Sequence, residues 1–477
     1  GKDPNEQKIA APKITPIVTN RDSQSEFLSE IQTSQVQPIE PVFVDYKKDM
    51  SQFEAQPGID VLYKKNETND IFTLIYVFNT GTENDPALNL AFNYLSYLGT
   101  DKMTAEEIAS EMYDIACSFY MNAGANQSSI QITGLSENMG KAMEIVEGLI
   151  AGAKPDEAIL ENCKADMLKS RADAKLNQSR CFGALQRYLF YGGDFIRRTT
   201  LTDPALQALT SEQLLAKIGG LMGKQHEVLY YGPQKEAEVK SALAEHHKVA
   251  ADLQPLEKKF STLLPTDANK VVLAQYDAKQ LYYLQFSNRG EKFDVAADPE
   301  ITLYNEYFGG GMNTIVFQEM REARGLAYTA WATLATPSNA NGDYSYYAFI
   351  ATQNDKMQKA VEAFDDIINN MPESEKAFGI AKEALVSRLR TERTVKDGVL
   401  WSYLRARDLG LDAPRDKQIF EKVQSMTLDD VKAAQQKWVK GRKYVYGILG
   451  DIQDLDLNYL KTLGPIQTVS QEEIFGY

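Results

Sequence analysis

From Ile59 to Leu449 the sequence passes twice through one order of elements: two strands, two helices, two strands, then helices and a closing strand. A chain that repeats an order over this length is built from one unit made twice, which removes most other folds from consideration. In the first pass, strand-like runs at Ile59–Lys64 and Ile71–Asn79 flank a turn at Asn66–Asp70. Helices are predicted over Ala87–Leu98 and Thr104–Ala116, the second opened by Thr104 and Glu107 as a capping box. Strands follow at Ser118–Ala123 and Ser129–Leu135. Then come helices at Met139–Ile150, Pro155–Ala174, Gln178–Tyr191 and Ser211–Leu221, a strand at His226–Tyr231 and a helix at Lys235–Glu245. In the second pass, strands Val271–Gln275 and Leu281–Phe286 precede helices Ile301–Phe308 and Thr314–Ala323. Strands Leu326–Thr333 and Tyr344–Ala351 follow. Helices at Lys356–Asn369, Glu373–Arg393, Val399–Leu409, Asp416–Val423 and Leu428–Trp438 lead to a strand at Lys443–Leu449.

Individual residues keep step with the elements. Tyr97-Leu98-Gly99 answers Tyr307-Phe308-Gly309, and Glu111-Met112 answers Glu319-Met320. Tyr120 then falls on Tyr328, and Ile132 and Met139 fall on Ile350 and Met357. The expected fold is α+β: two homologous domains, each a largely antiparallel sheet with helices packed on one face. Residues 46–252 form the first unit, 253–268 a connector with Pro255 and Pro265, and 269–477 the second unit. Residues 1–45 are rich in Pro, Ser, Thr and Gln, and only Ser25–Ile31 has a helical pattern, so this segment reads as a linker or arm. Gly1-Lys2-Asp3-Pro4 shows no initiator Met and no apolar signal core, as in a mature protein or a piece of a longer one.

Composition removes several function classes. A net charge of −15, from 66 acidic and 51 basic residues, offers no basic footprint for nucleic acid. No apolar run approaches the ~18 residues that span a bilayer. Cys117, Cys163 and Cys181 have no paired spacing, so they read as small buried side chains rather than a disulfide framework or a zinc knuckle. The three histidines, His226, His246 and His247, lack every common zinc spacing. Adjacent His246 and His247 read as the surface end of a helix. A carboxylate-only metal site is left open.

The most informative stretch runs Phe308-Gly309-Gly310-Gly311-Met312-Asn313-Thr314-Ile315-Val316-Phe317-Gln318-Glu319-Met320-Arg321-Glu322-Ala323-Arg324-Gly325-Leu326-Ala327-Tyr328. Its glycines suit a flexible packing turn and lack the context of a phosphate-binding loop. Gly325 suits the residue after a helix, and Arg321 and Arg324 suit its last turn, where cations complement the dipole. The stretch resembles the pitrilysin/insulinase family of zinc metallopeptidases (inverzincins), in the repeat that follows the zinc-bearing one. The duplicated order extends the resemblance over about Val44–Leu449. The resemblance implies the metallohydrolase fold shared with mitochondrial processing peptidase subunits and respiratory core proteins. It also singles out Arg321 and Tyr328, which in the family bind the substrate backbone and the carbonyl oxygen that becomes an oxyanion. An arginine and a phenol are directed donors of the kind such a site needs.

The first unit departs from the family pattern. Where zinc-bearing members carry H-x-x-E-H, this chain has Leu90, Asn93 and Tyr94, which supply neither metal ligands nor a general base. The resemblance therefore implies a noncatalytic half with no metal site and no cofactor of its own. It would line half of a closed chamber, while zinc and base come from an H-x-x-E-H half in the same polypeptide or in a separate subunit. Residues 1–45 would be the hinge from that half. Peptides are the implied substrates, and the chain alone is expected to be inactive. The compartment implied is the periplasm or cell envelope of a bacterium, with the cytoplasm left open. Two other roles remain on this reading: an assembly protein like the respiratory core subunits, and a stand-alone peptide-binding module.

Overall fold

The computed structural model describes residues 24–477. The chain divides into two units, Gly1–Glu40 and Pro41–Tyr477. The described part of the first holds a helix, Glu26–Thr33, whose N-cap Ser25 accepts from the Leu28 amide. The proline-rich start of the predicted arm, through Pro12 and Pro16, lies outside the described residues. The account below concerns Pro41–Tyr477.

Twelve strands form two six-stranded sheets. The first contains β1 (Ser51–Gln56), β2 (Ile59–Lys65), β3 (Ile71–Phe78), β4 (Cys117–Ala123), β5 (Ser128–Leu135) and β6 (His226–Gly232), in the order β1-β2-β6-β3-β5-β4. The second contains β7 (Lys270–Gln275), β8 (Gln280–Lys292), β9 (Thr329–Ala335), β10 (Asp343–Gln353), β11 (Val445–Gly450) and β12 (Ile466–Val469), in the order β12-β7-β11-β8-β10-β9. Five strands of each sheet share one order and one set of directions. β2 pairs with β6 in parallel, as β7 pairs with β11, and the remaining pairs among these five are antiparallel. Both sheets are thus mixed, and the architecture is α+β as expected.

The sixth strands differ in origin, and neither stands out in the sequence. β1 joins β2 through Pro57-Gly58, with Gly58 at φ 86, the backbone that a tight turn of this composition requires. β12 arrives from the chain's other end and lies parallel to β7. Four residues leave too little alternation for a sequence to announce.

Each sheet packs its main group of helices on one face. Phe72, Leu74, Tyr76 and Phe78 of β3 point into the first helical core, and Leu281 and Tyr283 of β8 into the second. The opposite faces are covered too, by an exchange of helices. Cys181, Phe182, Leu185 and Leu189, from the first half, pack on Val272, Leu284, Phe286 and Leu449 of the second sheet. Leu400 and Leu404, on the second half's helix Gly398–Asp408, pack on Leu62, Ile75, Val77 and Leu229 of the first sheet. Fully burying a leucine or phenylalanine contributes ~1.5–3 kcal/mol, so each exchange is a substantial part of its host's second core. The contact is close: a Cβ at Gly447 would stand 2.2 Å from the Leu189 side chain. The first of these helices breaks at Gly192 (φ 83), one residue after the predicted end at Tyr191.

Candidate functional site

Helix Asp298–Phe308 of the second half ends at Gly309, which runs hard against β9. A Cβ at Gly309 would lie 1.9 Å from the Ala332 carbonyl oxygen, while the Gly309 carbonyl accepts the Ala332 amide at 3.0 Å. Close approach is therefore what requires glycine at this position. Gly311 meets nothing within 4 Å. After Thr314 the chain makes a short α-turn, Ile315–Phe317, and widens into π-helical turns over Gln318–Ala323. The Arg324 amide reaches back to Glu319, and the Leu326 and Ala327 amides share the Met320 carbonyl. Gly325 (φ 58) takes the left-handed conformation expected of it. Such π turns are rare and concentrate at functional sites. Tyr328 lies one residue before β9 rather than within it, tied to the sheet by its amide and the Ala351 carbonyl.

This path brings Arg321 and Tyr328 together. The Arg321 guanidinium sits between two rings, 5.0 Å from the centre of Phe317 and 5.1 Å from that of Tyr328. Tyr328 is 69% exposed, and the Arg321 side chain is 41% exposed. Among the described residues, the guanidinium has only a distant carboxylate, Glu322 at 3.7 Å, and the phenol hydroxyl has no hydrogen-bond partner. The pair therefore presents a fixed charge and a free directed donor to solvent. Arg324 is committed differently, pairing with Asp366 at 3.1 Å and Glu319 at 3.4 Å.

In the first half, the positions that would bear metal are spent on packing. Leu90 and Tyr94 are fully buried in the helical core, and Asn93 faces solvent. The Tyr94 hydroxyl accepts the Asp156 amide at 2.8 Å and donates to the Ser211 hydroxyl at 2.8 Å. These residues do not fit a zinc ion. Among the described residues, no group of three or more His, Cys, Asp or Glu side chains is placed to hold a metal. The Cys117, Cys163 and Cys181 thiols are free and buried, and burial pushes each above its usual range.

The structure corrects one expectation. His247 is not at the surface: helix Glu236–His246 ends there, and the imidazole turns into the core, 5% exposed. It touches the Glu147 carboxylate at 2.7 Å and His226 at 2.9 Å, each through a ring nitrogen. Tyr76 and the Lys248 amide also donate to Glu147, and His226 Nδ1 donates to the Lys224 carbonyl. That carbonyl fixes the proton on His226 Nδ1, so its Nε2 accepts from His247. Burial, with His247 beside it, pushes His226 down to about 4. A carboxylate on the helix Met139–Gly152 is what permits the burial, and no local sequence pattern reveals a partner 100 residues away.

Comparison with known proteins follows this geometry. Residues 225–385 match the family model described as the Peptidase M16 inactive domain. An uncharacterized zinc protease of Rickettsia bellii is 23% identical over 312 residues, covering 63% of this chain and 70% of that one. The solved M16 inactive domain from Pseudomonas fluorescens superposes with a TM-score of 0.66 at 18% identity, over 84% of this chain and 98% of that one. The periplasmic protease PqqL from Escherichia coli matches with a TM-score of 0.64 at 14% identity, over 93% of this chain and 49% of that one. This chain thus spans about half the length of PqqL. No helix among the described residues is long and apolar enough to cross a membrane. The inactive-domain match, the zinc-protease relatives and the shared fold together support the noncatalytic half of the M16, or pitrilysin/insulinase, family of zinc metallopeptidases.

Proposed function

We propose that this chain supplies half of the chamber wall of a zinc-dependent endopeptidase, with Arg321 and Tyr328 holding the substrate backbone and the developing oxyanion. The observation that carries the reading is the placement of Arg321 over the exposed Tyr328 ring, whose hydroxyl meets no hydrogen-bond partner among the described residues. A guanidinium held between two rings loses little freedom when it meets a carbonyl, and its charge is permanent. Zinc and the general base belong to an H-x-x-E-H half, in the same polypeptide or in a partner subunit. When bound there, the zinc would supply the activated water. Residues 1–45 are the hinge toward that half, 46–252 and 269–477 the two repeated domains, and 253–268 their connector. The placement in a bacterial periplasm or envelope draws on PqqL, a periplasmic protease with this fold. An assembly role would place no demand on a free Arg/Tyr pair.

The test is made in the completed enzyme. Arg321→Ala and Tyr328→Phe are expected to lower kcat/KM by ~10²–10³ while zinc content and melting temperature hold. Arg324→Ala, which loses only two partly exposed ion pairs, is expected to leave kcat/KM within about twofold. Equal behaviour of all three variants would overturn the role given to the pair.

A further inference from the structure

The turns that carry Arg321 divide their side chains between two tasks. Ile315, Val316 and Met320 are buried in the second helical core. Phe317 is only half-buried, and among the described residues it joins no hydrophobic core. A phenylalanine stabilises a fold most when fully buried, so a half-buried ring outside the core does little for stability. What Phe317 does meet is the Arg321 guanidinium, 5.0 Å from its ring centre. The two residues are four apart, the spacing that brings side chains onto one face of a helical turn.

The other wall of the sandwich is Tyr328, 5.1 Å from the guanidinium, and the sheet sets its place. The Tyr328 amide bonds the Ala351 carbonyl. Beyond it, Gly309 accepts the Ala332 amide, and the Asn305 side chain takes both the amide and the carbonyl of Leu334. Glu322, at 3.7 Å, stands beyond hydrogen-bond reach and does not hold Arg321. A ring face attracts a guanidinium while leaving its N–H donors free. An ion pair occupies them, as Asp366 does those of Arg324. By the matching of the two passes, Ala109 stands where Phe317 stands and Tyr113 where Arg321 stands, so the first corner has neither the ring nor the cation.

From this geometry we infer that Phe317 is a positioning residue, whose ring orients the Arg321 guanidinium and leaves its donors free for a substrate carbonyl. Phe317 acts through Arg321 and not on the substrate. An unheld arginine gives up several rotors when it binds, and the ring removes that freedom beforehand. The inference rests on the role proposed above for Arg321 and deepens it by naming what orients that side chain.

The test again uses the completed enzyme. Phe317→Leu is expected to lower kcat/KM about tenfold, mostly through kcat, with zinc content and melting temperature unchanged. Phe317→Tyr keeps a ring and is expected to stay within about twofold. In an Arg321→Ala background, Phe317→Leu is expected to add less than about twofold, because the group it positions is gone. A second readout needs no turnover. In the full chain isotope-labelled at arginine, the Arg321 Nε–H resonance should lose its ring-current shift in Phe317→Leu and keep it in Phe317→Tyr. Losses that multiply in the double variant, a tyrosine that fails to rescue, or a resonance that does not move would overturn the inference. If Arg321→Ala itself leaves kcat/KM intact, the proposed function fails, and the resonance alone then decides whether Phe317 orients the guanidinium.

Discussion

The corners leading into β4 and into β9 occupy the same place in two sheets of the same order, and they are built differently. By the matching of the two passes, Tyr113 and Tyr120 stand where Arg321 and Tyr328 stand, and Tyr113, Tyr120 and Tyr328 are exposed. The first corner is reached by a regular helix, Ala105–Asp114, and turns through Ala116 at φ 50. The second passes through π turns and Gly325. Only the second gathers a cation onto a ring, and only it closes its strand edge with Gly309 and Asn305. Topology, then, fixes where a corner lies. What the corner can do depends on a handful of side chains that leave the sheet unchanged.

The largest expected effect comes from treating the halves as independent. Residues 41–252 and 269–477 expressed separately are each expected to fail to give a cooperative melt, because each sheet would lose the helix that covers its second face. Co-expression is expected to restore one transition. Two stable, separately melting fragments would break the picture of exchanged helices.

A second contrast lies between the corners themselves. In the completed enzyme, Tyr120→Phe and Tyr113→Ala are expected to change kcat/KM by less than about twofold, against the ~10²–10³ expected for Tyr328→Phe. A comparable loss at both corners would mean that the first one also serves the reaction.

The halves should also answer pH in opposite directions. His226 is lowered from 6.5 to about 4, so its contribution is complete above pH 6.5 and is lost as pH falls toward 4. In the second half, burial raises Asp365 from 3.8 to about 6, so its contribution is complete below pH 3.8 and is lost as pH rises through 6. Each amounts to about 3 kcal/mol at most. Melting curves from pH 4 to 8 are expected to show His226→Gln flattening the acid limb. Asp365→Asn is expected to stabilise the chain most at pH 8. Reversed signs would remove the assignment.

The smallest effects separate the first and last glycines of the run Gly309–Gly311. Gly309→Ala forces a methyl into the Ala332 backbone and is expected to cost ~1–3 kcal/mol. Gly311→Ala, in open space, should stay within about 0.5 kcal/mol. Chemical denaturation of the two variants distinguishes close approach from mere flexibility as the reason for the run.

Much of this protein was legible in its residues. Alternation along β3 and β8, the capping box at Thr104, the left-handed residue at Gly325 and the break after Tyr191 are local signals, and each lies where local backbone physics puts it. The motif containing Arg321 and Tyr328 was legible for the same reason, since seven residues and one turn bring the pair together. Leu90 and Tyr94 already showed that the first helix carries no zinc ligands. What the tertiary structure alone decided are pairings between residues far apart in the chain. The exchange of helices between sheets, the seat of His247 against Glu147 and His226, and the closure of β9 by Asn305 all depend on partners that no local pattern names. Burial and hydrogen bonding are satisfied wherever a complementary group happens to arrive, and the folded chain, not the order of its residues, determines which group that is.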